Sequence, residues 1–196
     1  PMTAHRISMG EPYDRRRTRG AAIGRSGRTA RSSHGPPTLA SVTNPSAALA
    51  VLVPVKAFDQ AKVRLSAALD PPARAALART MADAVIAAAV PLPVFVVCDD
   101  DAVASWARGS GADVLWKPGR GLNGAVNEGV ADLAAQGIGR VIVAHADLPH
   151  ALELAFVADG PGVTLVPDRR DDGTNVAAVP THAGFTFAYG PASFSR

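Results

Sequence analysis

From Ala48 onward the chain alternates short apolar runs with segments of helical period, and this alternation constrains its fold more than any other feature. The runs are 50–55 (Ala-Val-Leu-Val-Pro-Val), 94–98, 114–116, 141–144, 163–166 and 175–179. Short apolar stretches of this kind suit parallel strands buried on both faces. Between them lie three helical segments. Asp70 is placed to cap the first, with Pro71 at its first position and Leu77, Met81 and Val85 four apart along one face. The second runs from Asp101 to Arg108 and is closed by Gly109 and Gly111, and the third runs from Asn123 to Ala135 with Gly137 as its stop. Strand-helix alternation requires crossover connections and predicts an α/β fold: a mostly parallel sheet covered by helices. Ligands in such sheets bind beyond the carboxyl ends of the strands. Polar clusters at those ends are therefore the candidate sites.

Residues 1–46 are of another kind. They carry eight arginines against two acids, Glu11 and Asp14, among Gly, Ser, Thr and Pro, with no apolar period. Such a stretch buries too little surface to offset its ordering entropy and is expected to be disordered, leaving residues 47–196 as one domain. Of the 20 basic and 17 acidic residues the tail takes eight and two, so the body is acidic, 15 against 12. The pI near 9.5 therefore belongs to the tail. Nucleic-acid binding through Arg15, Arg16, Arg17 and Arg19 is one reading of it, but Tyr13 is the lone aromatic nearby, and no nucleic-acid partner is expected. The single cysteine, Cys98, rules out an internal disulfide and fits a reducing cytoplasm. No apolar run approaches the roughly 18 residues of a membrane span, and no apolar segment follows the Arg-rich start as a secretory signal would need. A cytoplasmic protein without a membrane partner is expected.

Five clusters carry possible chemistry. After the first strand, Lys56, Lys62 and Arg64 bring three cations into nine positions, in a chain with only three lysines. Cations on a loop feeding a helix N-terminus suit a polyphosphate; the alternative is a solvated loop. Gly119-Arg-Gly-Leu-Asn-Gly124 opens a helix in a G-x-G-x-x-G pattern. Lys117 and Pro118 separate it from its strand, which argues against a dinucleotide site. Asp147, in Ala-Asp-Leu-Pro after the strand 141–144, is a good ligand for a hard cation such as Mg²⁺; the alternative is a helix cap before Pro149 and Ala151. The turn 167–175 offers Thr174, with a hydroxyl and an N–H for an anion, beside the freely turning Gly173. Residues 189–194, Tyr-Gly-Pro-Ala-Ser-Phe, read as a second anion-holding loop, with simple turn chemistry as the alternative for both. Asp99, Asp100 and Asp101 are read as helix caps, and His145, Cys98, Trp106 and Trp116 as packing residues.

Taken in order, V-P-V-K-x4-A-K-x-R-L-S, G-L-N-x-A-V, A-D-L-P, P-D-R-x3-G-T-N and F-x-Y-G-P-x-S-F resemble the CofC family. Those enzymes are the 2-phospholactate or phosphoenolpyruvate guanylyltransferases of deazaflavin coenzyme F420 biosynthesis. The resemblance covers about residues 49–196. It implies a Rossmann-like nucleotidyltransferase fold of the molybdenum-cofactor guanylyltransferase type. It further implies that Lys56, Lys62 and Arg64 hold the phosphates of GTP and act in catalysis with Asp147. Gly121, Leu122 and Asn123 would line the nucleoside pocket, Asp147 would hold Mg²⁺, and Thr174, Gly190 and Ser193 would hold the phosphorylated acid. Arginine in excess of lysine and abundant alanine suggest a GC-rich genome, and resemblance to the actinobacterial members of the family then implies phosphoenolpyruvate as the acceptor. The family continues past Arg196 into a helix, a strand and an acidic segment resembling a second metal-binding region, so the sequence is expected to be C-terminally truncated.

This chemistry suits the residues. An acceptor phosphate with a second pKa near 6 is largely a dianion at neutral pH and needs no general base. The step needs in-line positioning and cations opposite the charge that builds on the phosphates. The competing expectations are a non-catalytic nucleotide-binding relic of the same fold and a nucleic-acid binder acting through the tail.

Overall fold

The computed structural model describes residues 4–6 and 48–194. Its strands are β1 (Ala4–Arg6), β2 (Ala48–Pro54), β3 (Val94–Cys98), β4 (Asp113–Trp116), β5 (Ile138–Ala144), β6 (Val163–Pro167) and β7 (Thr174–Pro180). Each apolar run of the sequence is one of the last six. The helices are α1 (Pro71–Ala89), α2 (Asp101–Gly109) and α3 (Gly121–Ala135).

The strands form one sheet in the order β1-β6-β7-β5-β2-β3-β4. All neighbours are parallel except β7, which runs against both β5 and β6. Period-2 alternation assigns each residue of β2 to a layer. Val51, Val53 and Val55 face α1 and α2, together with Ile142 and Ala144 of β5. Ala50 and Leu52 face α3, together with Val141 and Val143. Burial on both sides is why these runs read as continuously apolar.

The caps act locally, as expected. The Asp70 carboxylate accepts the Ala73 N–H at 2.8 Å, and Asp100 accepts the Val103 N–H at 2.9 Å. The buried face of α1 lies one residue round from the expected one. Ala78, Ala82, Val85 and Ala89 are buried, whereas Leu77 and Met81 are only partly so. Alanines let the helix sit close on the sheet, and the larger side chains flank the contact. On the opposite layer Gly129 serves the same end. A β-carbon there would lie 3.1 Å from Leu52 Cδ2 and 3.6 Å from Leu115 Cδ1, so a side chain would lift α3 from β2.

Two further expectations change. Trp116, read as a packing residue, ends the edge strand β4 and is 45% exposed, because no strand covers its outer side. Cys98 does pack in the core, and burial raises its thiol pKa. Within the stretch expected to lack order, Ala4–Arg6 pairs with residues 163–165 of β6. The rest of residues 1–46, with Arg15, Arg16, Arg17 and Arg19, lies outside the described residues. Among the described residues no helix is long and apolar enough to cross a membrane.

Candidate active site

The sheet changes direction of winding at β2, with β3 on one side and β5 on the other. The carboxyl ends of β2 and β5 therefore flank a crevice of the kind that open α/β sheets use for ligands. A pocket of about 220 Å³ opens there, lined by Lys56, Lys62 and Asp147 among others.

The loop after β2 is shaped by one buried ring. Phe58 starts a 3₁₀ turn, Phe58–Gln60, and meets Trp106 of α2 edge-to-face at 5.2 Å, with the Arg79 guanidinium 5.1 Å over its ring. The Trp106 indole N–H donates to Asp83 at 2.8 Å. So anchored to α1 and α2, the loop turns back at Lys62, whose φ of 55° and ψ of 32° are left-handed, an uncommon conformation for a residue with a β-carbon. This turn aims the ammonium at the end of β5, where its Nζ donates to Asp147 Oδ2 at 2.8 Å. Residues 85 apart in sequence thus form an ion pair, and the 55% exposure of the Asp147 side chain leaves its carboxylate open to a ligand. Asp147 sits on a turn and no helix follows at Pro149 or Ala151, so the helix-cap reading fails. Lys56 is exposed on the same pocket; Arg64, on the next 3₁₀ turn Val63–Leu65, is exposed outside its lining.

Gly121, Leu122 and Asn123 form the first turn of α3, on the other layer of the sheet. Gly121 has a φ of 61°, and a β-carbon there would meet nothing within 4 Å, so this turn is open. Leu122 packs beside Tyr189 in the second core. The Asn123 amide is engaged with the Tyr189 backbone, accepting its N–H at 2.7 Å and donating to its carbonyl at 3.2 Å.

Because β7 is reversed, the β6–β7 turn lies at the same edge of the sheet as the pocket. Ala144 pairs with Val176, and the His145 N–H donates to the Asn175 carbonyl at 3.0 Å, which brings Thr174 beside the turn carrying Asp147. Thr174 is buried, and its N–H donates to Ser193 Oγ at 3.1 Å. The Ala192 N–H donates to Asp172 Oδ1 at 3.0 Å, and the Phe194 N–H to the Asp172 carbonyl at 3.1 Å. The two loops read separately from the sequence are thus one structure. Asp168 shapes the turn from within, accepting the Arg170 N–H at 2.8 Å and the Asp172 N–H at 3.1 Å. Backbone donation, from Asp172 first and Arg170 next, holds its carboxyl below the usual carboxylate range.

Three residues of this region escaped the sequence reading as site residues. His145 meets the Tyr189 ring edge-on at 4.7 Å; burial lowers its pKa, against a smaller opposing pull from Asp147. The Tyr189 hydroxyl is buried without a hydrogen-bond partner, and burial raises its pKa. Asn127 stands one turn beyond Asn123 and binds the Phe187 backbone. Its signal was present as two amides four apart on one helix.

The sheet thus carries a cationic loop after its first long strand and a carboxylate after the neighbouring strand, at one edge of an α/β fold. A crystal structure assigned as a nucleotide-diphospho-sugar transferase from Desulfovibrio desulfuricans G20 shares the fold, with a TM-score of 0.61 and 15% identity over 76% of this chain and 73% of that one. Residues 49–196 match the family described as guanylyl transferase CofC like. A Rubrobacter xylanophilus protein named phosphoenolpyruvate guanylyltransferase is 39% identical over 153 residues, 73% of this chain and 74% of that protein. One of the same name from Sphaerobacter thermophilus is 37% identical over 154 residues, 74% of each. The chain belongs to the CofC family of guanylyltransferases.

Proposed function

We propose that this guanylyltransferase transfers the GMP part of GTP to a phosphorylated carboxylic acid, with phosphoenolpyruvate as the acceptor and 2-phospholactate as the second choice, as a step in F420 biosynthesis. The observation that carries the reading is the convergence of Lys56, Lys62 and Asp147 on one pocket at the β2/β5 crevice. An acceptor phosphate oxygen would attack the α-phosphorus of GTP. A new phosphoanhydride bond forms, the bond to the β-phosphate breaks, and diphosphate leaves.

Lys56 and Lys62 face the outer phosphates in this reading and offset the charge that develops on the departing diphosphate. Arg64, outside the pocket lining, would reach the same phosphates only from the rim. Asp147 is the residue that would hold Mg²⁺. The fit rests on the donor set: one half-exposed carboxylate, already paired with a cation, suits an ion that takes one or two carboxylates plus substrate phosphates and water. When bound, Mg²⁺ supplies positive charge against the phosphates. Lys62 would then leave Asp147 for a phosphate oxygen, an exchange of partners that keeps the pocket's charge balanced. The open first turn of α3 would receive the nucleoside. Thr174, Gly190 and Ser193 would orient the acceptor beside the Asp147 turn.

The test is diphosphate release and mass spectrometry of the product with GTP, ATP, CTP or UTP against phosphoenolpyruvate and 2-phospholactate, in the presence of Mg²⁺. A guanylylated phospho-acid formed from GTP alone is the expected product. Binding of GTP with no diphosphate release for either acid overturns the reading in favour of a non-catalytic relic.

A further inference from the structure

The backbone between Phe187 and Tyr189 is held by side chains of a helix. Asn123 and Asn127 stand one turn apart on α3. Asn123 pairs in both directions with Tyr189, at 2.7 Å and 3.2 Å. Asn127 does the same with Phe187: its Oδ1 accepts the N–H at 2.8 Å, and its Nδ2 donates to the carbonyl at 3.0 Å. A side-chain amide carries the same donor and acceptor as a peptide group, so two of them one turn apart replace a strand partner for alternate residues. The Asn127 Nδ2 also donates to the Asn123 carbonyl at 2.9 Å, joining the two pairs.

Each end of this clamp meets a part of the site. On one side, Asn123 belongs to the first turn of α3, whose N-terminus has no side-chain cap because Arg120 makes no such bond. The orphan N–H groups of an uncapped turn leave it dependent on other contacts for order. On the other side, Tyr189 leads directly into Gly190, with a φ of 145°, and the turn to Ser193, which holds the Thr174 N–H. The Phe187 ring is buried and stacks on Tyr189 at 5.7 Å, so the two side chains brace the segment together.

We infer that Asn127, acting with Asn123, is a positioning residue that couples the two halves of the site: seating a nucleotide on the first turn of α3 orders the acceptor loop Gly190–Ser193 through the clamp. This inference rests on the assignment of that turn to the nucleoside. Its physical basis is that a ligand which orders the first turn of α3 also fixes Asn123, and through it the backbone carrying the acceptor loop.

The test is amide hydrogen exchange over 187–193 in wild type, Asn127→Ala and Asn127→Asp, free and with GTP, alongside acceptor KM and GTP Kd. Asn127→Ala should speed exchange at Phe187 in the free protein about tenfold, the effect of losing one or two net hydrogen bonds. Added GTP should slow exchange across 187–193 in wild type and fail to do so in the variant. Acceptor KM should rise by about the same tenfold factor while GTP Kd moves less than about twofold. If alanine disrupts α3, Asn127→Asp keeps the oxygen that accepts the Phe187 N–H but sets a charged oxygen against the Phe187 and Asn123 carbonyls, so Phe187 itself should stay protected while exchange over 188–193 still quickens. Wild-type exchange in a folded variant overturns the clamp, as does equal loss of GTP and acceptor binding. Absence of turnover in wild type would instead remove the functional assignment, because the free-protein exchange comparison needs no substrate.

Discussion

Replacing Lys62 with alanine removes a cation that serves two partners, and its effect follows from the difference between them. In the free protein the ammonium pairs with the half-exposed Asp147 at 2.8 Å. A pair so open to water contributes about 0–1 kcal/mol. In the nucleotide complex the same ammonium would contact a phosphate oxygen, a charge-assisted bond worth about 1.5–3 kcal/mol. The net loss on GTP binding is the second less the first, about 1–2 kcal/mol at the centre of both ranges, or roughly 5- to 30-fold in Kd. GMP lacks the outer phosphates, so its affinity should change by less than about twofold. The same substitution frees the Asp147 carboxylate from its competitor, and free Mn²⁺ should bind the variant more tightly than wild type. Isothermal titration calorimetry with GTP and GMP, and electron paramagnetic resonance of Mn²⁺, read both effects at low ionic strength. Equal weakening of GTP and GMP would refute the placement of Lys62 on the outer phosphates. Unchanged Mn²⁺ affinity would refute the exchange of partners at Asp147.

Asp147→Asn should cost more than about tenfold in turnover at saturating Mg²⁺ while costing at most about 1 kcal/mol of stability, since the pair it breaks is open to water; a steady-state assay with a thermal melt checks both, and near-normal turnover removes the metal role. Thr174→Val keeps the N–H that donates to Ser193 and deletes only the hydroxyl, so acceptor KM should rise with GTP affinity unchanged, whereas a fall in GTP affinity would assign the turn to the nucleotide. The Asp168 carboxyl is held below its ordinary range by the Asp172 and Arg170 N–H groups. Its contribution is therefore present above the unfolded value and is lost as pH falls through the lower folded one; the protection of amides 170–173, taken relative to their intrinsic exchange rates, should fall as pH drops through that lowered range, and Asp168→Asn should flatten that dependence.

The sequence by itself determined what acts over a few residues. Asp70 and Asp100 cap α1 and α2 because a carboxylate three residues ahead of an N–H reaches it whatever surrounds the helix. The six apolar runs became six strands, and their alternation with helices was enough to require a mostly parallel sheet. The ordered motifs at the strand ends were enough to show the family. Tertiary structure decided everything that depends on which strands are neighbours. Periodicity does not encode strand order or direction, so the reversal of β7 was illegible, and with it the joining of the 168–173 turn to the 190–194 loop. The exposure of Trp116 follows from β4 being an edge, and the buried face of α1 from how closely alanines let it approach. The Lys62–Asp147 pair spans 85 residues, and the clamp of Asn127 on Phe187 spans 60. Propensity and capping reach about one helical turn along the chain, while these contacts exist only once the sheet has closed its order and brought distant strand ends to one edge.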